Sequence, residues 1–263
     1  MKLKSEFRRY KVFLIDGDGV LWRGDQPIPE AIEAVNTLVK LGFKVALITN
    51  NSTLSTEDYG VKLARLGVKI PPNRIYTTSR AAASHLASKG FSKTYVVGEE
   101  GLVKELLKAG VKPSRHADSV TVGLDRSFNY RKLAEASELV RRGAYFLATN
   151  RDPTLPSPQG LIPGAGSIVA AIEVAAGRKP DVEIGKPQPY LYIHALEDLG
   201  ADPSEALAIG DRIDTDVLGA LNAGITPALV LTGATGYEEV SKTGVKPKYV
   251  LETLKKLFEA NRD

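Results

Sequence analysis

The sequence predicts an α/β protein built around a parallel sheet. Three observations lead there. Short β-rich apolar runs recur along the chain, segments with helical spacing of apolar residues separate them, and runs such as Val12-Phe13-Leu14-Ile15 are apolar throughout, as strands covered on both faces are. With 263 residues, 43% of them hydrophobic, the chain can bury the core such a sheet needs, as one large domain or two smaller ones.

Taken in order, the strand candidates fall at residues 11–15, 44–49, 94–97, 120–124, 145–148, 206–209 and 228–231. Helices fill the intervals. Ile32, Val35, Leu38 and Val39 recur at helical spacing and stop at Gly42, a C-terminal breaker. Comparable segments span 55–66, 102–109, 130–142, 167–176 and 189–199. Proline and glycine crowd residues 153–166, which predicts a loop or a strand-poor connection. No repeat of solenoid length and no low-complexity tract is present.

Charge narrows the function classes. Lysine and arginine total 35 against 31 acidic residues, a net charge of +4 that is too small and too interspersed to predict a nucleic-acid partner. The N-terminal basic cluster Lys2, Lys4, Arg8, Arg9 and Lys11 is short, broken by Glu6, and reads as a solvated segment. The absence of cysteine excludes disulfides, thiolate nucleophiles and zinc–thiolate sites. The apolar run before Asp16 is too short for an export signal, and nowhere does an apolar stretch approach the roughly 18 residues of a membrane span. A cytoplasmic protein without membrane attachment is therefore expected. A single methionine and abundant paired charges suit a heat-adapted source.

Four short segments carry candidate chemistry. Asp16-Gly17-Asp18-Gly19-Val20 follows the first apolar run, and in open α/β sheets ligands bind outside the carboxyl ends of the strands, where both carboxylates would project. Alone, it reads equally well as an Asp-Gly turn. An EF-hand is excluded, because Val20, Leu21 and Pro27 stand where an oxygen ligand, glycine and glutamate are needed. The second strand ends in Thr49-Asn50-Asn51-Ser52, whose hydroxyl and amide donors suit phosphate oxygens and would also cap a following helix. Gly185-Lys186-Pro187 places a lysine in a turn before a helix; it is no P-loop, since Pro180 replaces the first glycine and no Ser or Thr follows Lys186. That lysine is either solvated or a fixed charge for a transferring phosphoryl group. Finally, Gly210-Asp211-Arg212-Ile213-Asp214-Thr215-Asp216 sets three aspartates after a buried strand, where they repel one another unless a cation or solvent screens them. A helix N-terminus would account for Asp214 equally well.

Other chemistries fail. The glycine pairs Gly17/Gly19 and Gly164/Gly166 are followed by Trp22 and Val169 where a dinucleotide fingerprint needs a small residue. His85, His116 and His194 form no paired-ligand spacing and read as surface or core histidines.

In order along the chain, Asp16-x-Asp18-Gly19-Val20, Thr49-Asn50, Gly185-Lys186-Pro187 and Gly210-Asp211-x-x-x-Thr215-Asp216 resemble the four motifs of the haloacid dehalogenase superfamily. Thr49-Asn50-Asn51, Ala148-Thr149-Asn150-x-Asp152 and Ile184-Gly185-Lys186-Pro187 are similar to its NagD/4-nitrophenylphosphatase branch. The resemblance implies a Rossmann-like parallel-sheet core over residues 1–81 and 182–263, interrupted by a large inserted α/β cap domain over 82–181. It implies a phosphatase in which Asp16 is the nucleophile and forms an aspartyl-phosphate. Asp18 then protonates the leaving alcohol and deprotonates the hydrolytic water. Thr49 and Lys186 hold the phosphoryl oxygens with help from Asn50. Mg²⁺ is bound by Asp16, the Asp18 carbonyl and Asp211, with Asp216 completing the shell directly or through water.

The implied substrate is a small phosphorylated metabolite: a 4-nitrophenyl phosphate-type ester, sugar phosphate, nucleotide, phosphoglycolate or glycerol phosphate. Residues near Asn150 and Asp152, and the loop from Asp125 to Tyr130, are candidates for selecting it, or for packing and helix capping alone. A cap of that size favours small substrates over phosphoproteins and is compatible with a homodimer through the cap. Asp18 argues against a dehalogenase, whose motif generally lacks the second aspartate. The alternative is a catalytically silent relative that binds a phospho-ligand or a protein, which the intact motif set disfavours.

Overall fold

The computed structural model describes residues 1–157 and 160–259. The chain forms two compact units, one from Met1–Thr49, Gly60–Tyr76 and the chain from Lys186 on, the other from Asn50–Tyr59 and Thr77–Gly185.

The first unit is organised by a six-stranded sheet in the order Tyr249–Leu251, Thr226–Val230, Ala206–Gly210, Val12–Ile15, Lys44–Thr49, Ile75–Thr77. Pairing from Tyr249–Leu251 across to Lys44–Thr49 is parallel. Val12, Phe13, Leu14 and Ile15 are all buried, which explains the unbroken apolar run: a central parallel strand has no solvent face. Each such side chain contributes about 1.5–3 kcal/mol on burial. The register sets Ile15 level with Ile209 and with Leu47. The chain therefore leaves all three strands at one edge, at Asp16, Asp211 and Thr49.

The helix Pro29–Lys40 buries Ala31, Ala34, Val35 and Leu38. Its inward face is turned by about one residue from the expected Ile32-Val35-Leu38-Val39 stripe, because the two alanines take the innermost positions while Ile32 and Val39 are only half buried.

The second unit carries a five-stranded sheet in the order Val182–Glu183, Tyr145–Ala148, Ser119–Val122, Lys93–Val97, Lys112–Pro113, paired in parallel throughout. Val97, Val122 and Phe146 from this sheet pack with Val140, Val169 and Ile172 from the helices Tyr130–Arg141 and Ala165–Ala176. Within the stretch expected to lack strands, Thr154–Ser157 pairs antiparallel with Gly160–Pro163; residues 158 and 159 lie outside the described set. An isolated two-stranded ribbon has an unpaired edge on each strand, so proline's missing N–H costs it little there. Among the described residues no helix is long and apolar enough to cross a membrane.

Candidate active site

The loops leaving the carboxyl ends of the first unit's strands carry Asp16, Asp211 and Asp216, three of the residues singled out in the sequence, and the turn ahead of the helix Tyr190–Leu199 adds a fourth, Lys186. Asp16 extends the ladder by donating its N–H to the Ile209 carbonyl at 2.9 Å. Lys186 is 3% exposed and stands in a turn with a cis bond to Pro187, just ahead of the helix Tyr190–Leu199. Its Nζ donates to Asp16 Oδ1 and Asp216 Oδ1, each at 2.5 Å, and to the Ile48 carbonyl at 3.3 Å. Asp211 Oδ2 accepts the Ala234 N–H at 2.6 Å, and Asp216 Oδ2 accepts the Arg212 N–H at 3.1 Å. Asp216 lies on a π-helical turn, Ile213–Val217, an irregularity that suits functional positions because it re-aims a side chain within a helical path.

Electrostatics follow from burial. Burial alone would lower the Lys186 pKa, but the charges of Asp16 and Asp216 outweigh it and hold the ammonium well above its ordinary value. Burial likewise drives the Asp16 carboxyl upward, opposed by Lys186 and reinforced by Asp216 and Asp211. Asp211 is pushed up to about 6 by burial and by Asp216. Lys186 is thus a fixed cation among carboxylates.

Carboxylate oxygens of Asp16, Asp211 and Asp216 lie within 4.8 Å of one another, and all three residues are buried. One lysine cannot balance three buried carboxylates, and an all-oxygen, multiply anionic donor set is what a hard divalent cation requires. The residues fit such an ion. Asp214, by contrast, points outward and pairs with Arg212 at 2.7 Å.

Asp18 is half-buried in the turn two residues beyond Asp16; its Oδ1 accepts the Trp22 indole N–H at 2.8 Å. Burial raises its carboxyl pKa, against the opposing influence of Lys62 and the Trp22 hydrogen bond. Thr49 is buried at the end of its strand, next to the Ile48 carbonyl that Lys186 contacts. Asn50 belongs to the second unit, where its carbonyl accepts from Asn150 Nδ2 at 2.8 Å and Thr78 Oγ1 at 2.7 Å, and its own Nδ2 reaches Asp152 Oδ2 at 3.1 Å. In that unit Gly185 has no room for a side chain, since a Cβ would fall 2.7 Å from Asn50 Oδ1 and 2.8 Å from Asn150 Cβ.

Sequence reasoning missed the loop after Thr226–Val230. Thr232 Oγ1 donates to the Gly19 carbonyl at 2.6 Å, Arg23 Nε donates to the Thr232 carbonyl at 2.6 Å, and Thr235 N–H binds the Asp211 carbonyl at 3.1 Å. A Cβ on Gly233 would fall 2.0 Å from Asp211 Oδ2. The signal available was Thr232-Gly233-Ala234-Thr235 at a strand end, the same pattern of small and hydroxyl residues that drew attention to Thr49.

A parallel α/β unit that gathers Asp16, Lys186, Asp211 and Asp216 at one edge matches the haloacid dehalogenase-like hydrolases over residues 13–112 and a HAD-hydrolase-like family over 183–257. The chain belongs to the haloacid dehalogenase-like hydrolases and is an enzyme of that class. Within the family its resemblance falls in the NagD/4-nitrophenylphosphatase branch. It is 37% identical to 5'-nucleotidase YutF of Bacillus subtilis, covering 94% of this chain and 97% of that protein. It superposes on 4-nitrophenylphosphatase of Thermotoga maritima with TM-score 0.92 at 34% identity, covering 97% and 98% of the two chains. It superposes on NagD of Escherichia coli K-12 with TM-score 0.87 at 33% identity, covering 94% and 98%.

Proposed function

We propose that this hydrolase is a Mg²⁺-dependent phosphatase of small phosphomonoesters, working through an aspartyl-phosphate on Asp16. The observation that carries the reading is the buried ion triad in which Lys186 Nζ lies 2.5 Å from both Asp16 Oδ1 and Asp216 Oδ1. A buried lysine held between carboxylates is a preset counter-charge for an incoming phosphoryl group, and it needs no reorganisation when the group arrives.

In this reading an Asp16 carboxylate oxygen attacks phosphorus in line with the departing oxygen. The phosphorus–oxygen bond to the leaving alcohol breaks as the Asp16–phosphorus bond forms, and Asp18 delivers its proton to the departing oxygen. Asp18, now ionised, takes a proton from water as that water attacks the same phosphorus. The Asp16–phosphorus bond breaks, and inorganic phosphate and the starting carboxylates are restored. Thr49 and Lys186 hold the phosphoryl oxygens, with Asn50 assisting. Asp16, Asp211, Asp216 and the Asp18 carbonyl would hold Mg²⁺, which when bound offsets the repulsion between the phosphate and these carboxylates. Choice among sugar phosphates, nucleotides and other small esters is assigned to the inserted segment expected at 82–181. Asn150, Asp152 and the buried Asp125, which pairs with Lys132 at 2.6 Å, are its candidate contacts.

The test is phosphate release from a panel of phosphomonoesters, including 4-nitrophenyl phosphate, with Mg²⁺ and after chelation. Chelation and Asp16→Asn are each expected to lower turnover by at least about 10³-fold while the fold is retained. Wild-type protein that releases no phosphate from any ester with Mg²⁺ present, or an Asp16→Asn variant of near-normal rate, would overturn the reading.

A further inference from the structure

Trp22 is the protein's single tryptophan and is fully buried in the turn that follows Asp16 and Asp18. Its indole Nε1–H donates to Asp18 Oδ1 at 2.8 Å. The two residues are also tied through the backbone, by a parallel bridge and by bonds from Gly19 N–H to the Trp22 carbonyl at 2.7 Å and from Trp22 N–H to the Gly17 carbonyl at 3.2 Å. The ring is held on both sides. Lys62 Nζ lies 4.1 Å from the ring centre, a cation–π contact, and the benzo edge presses on Gly17. A Cβ at Gly17 would lie 2.3 Å from Trp22 Cζ2 and 2.5 Å from Cη2.

We propose that Trp22 is the positioning residue for Asp18. By occupying Oδ1 as an acceptor, the indole N–H leaves Oδ2 as the oxygen that carries the transferable proton, and it fixes the rotamer that aims this oxygen at the leaving group. The proposal rests on the phosphatase reading above. The step is the first half-reaction: as the phosphorus–oxygen bond breaks, the proton on Asp18 Oδ2 moves to the departing oxygen, and the ionised carboxylate keeps its bond from Trp22. Gly17 acquires a role from the same contact, since the glycine between the two aspartates is the space the indole fills.

Leaving groups separate this role from a merely structural one. An alkoxide needs the proton, whereas 4-nitrophenolate is a stable anion that leaves with little assistance. A misplaced acid must therefore harm alkyl esters selectively. Specificity constants for glycerol phosphate and 4-nitrophenyl phosphate are to be compared in wild type, Trp22→Phe and Gly17→Ala. Because only one tryptophan exists, a shape-preserving variant is also available: biosynthetic replacement of tryptophan by 3-benzothienylalanine, which keeps the bicyclic ring and substitutes sulfur for the N–H.

The ratio of alkyl to aryl specificity constants is expected to fall about 10- to 100-fold in the benzothienyl protein and in Trp22→Phe, and in the same direction in Gly17→Ala. A ratio within about twofold of wild type in the benzothienyl protein, or proportional losses on both esters, would overturn the proposal. Wild-type protein that releases phosphate from no ester of the panel would instead sink the phosphatase reading, and this proposal with it.

Discussion

Gly233 stands where a methyl group would collide with the Asp211 carboxylate, 2.0 Å from Oδ2, although its backbone lies outside the left-handed region that favours glycine. The requirement is steric and comes from the site. Gly210 is under a similar constraint, since a Cβ there would fall 2.2 Å from Asp216 Cβ, and Gly19, at φ +79°, meets Asp211 and needs its positive φ as well. Gly233→Ala is therefore expected to displace Asp211 while leaving the sheet intact, with a loss of about 10²-fold in kcat/KM and a higher Mg²⁺ concentration for half-activation. Metal-titrated activity beside a thermal melt checks this, and unchanged Mg²⁺ activation would refute it. At this scale the sequence was legible where a charged side chain marks the candidate site. Asp16 stood out at the end of an apolar strand, Asp211 and Asp216 as clustered carboxylates that repel one another, and Lys186 only through its place in the ordered set of motifs. Gly233 was not legible, because a glycine in a loop looks the same whether it turns the chain or makes room for a carboxylate.

At the scale of elements, Ser55 supplies an N-terminus that the sequence located to within one residue. The helix is Thr56–Arg65, and Ser55 and Asp58 form a reciprocal capping box: Asp58 N–H donates to Ser55 Oγ at 3.2 Å, and Ser55 N–H donates to Asp58 Oδ2 at 3.0 Å. Ser55→Ala is expected to cost about 1 kcal/mol, read as a lowered urea midpoint at unchanged slope. An alanine variant with the wild-type midpoint would remove the cap from the account. The Asn51 side chain, read as a candidate cap or phosphate donor, forms an Asx turn through its Oδ1, which accepts both Thr53 N–H and Thr53 Oγ1–H at 2.7 Å. The strands with continuous apolar runs were legible, whereas Ile75–Thr77, Lys112–Pro113 and Val182–Glu183 are two or three residues long and leave no periodicity to read. The rotation of Pro29–Lys40 has the same origin, because alanine's burial is set by the surface it approaches and not by its own hydrophobicity.

For the molecule as a whole, stability should carry the signature of a buried histidine. His85 is 7% exposed, its Nε2 lies 2.9 Å from Tyr145 Oη, and its ring stacks on Tyr145. Burial, with Lys89 assisting, lowers its pKa from the ordinary value of about 6.5. The native protein thus keeps His85 neutral where the unfolded chain has begun to bind a proton. Its contribution to stability is complete above about pH 6.5 and is lost progressively as pH falls toward the depressed native value. Urea unfolding across that interval should show a slope that His85→Gln flattens, and an equal slope in both proteins would count against it. The resemblance implied a core over 1–81 and 182–263 with an insertion over 82–181, and no local feature of the sequence marks where the units divide, since pairing across long stretches of chain leaves no local trace. That pairing has a further consequence for synthesis. Val12, in a strand made early, has a partner at Ala206, about 200 residues later. At roughly 5–20 residues per second, the central strand waits on the order of ten to forty seconds before its second neighbour exists. During that interval Val12–Ile15 is an apolar segment with one edge unsatisfied, and this is the period in which a nascent chain of this fold most needs a chaperone.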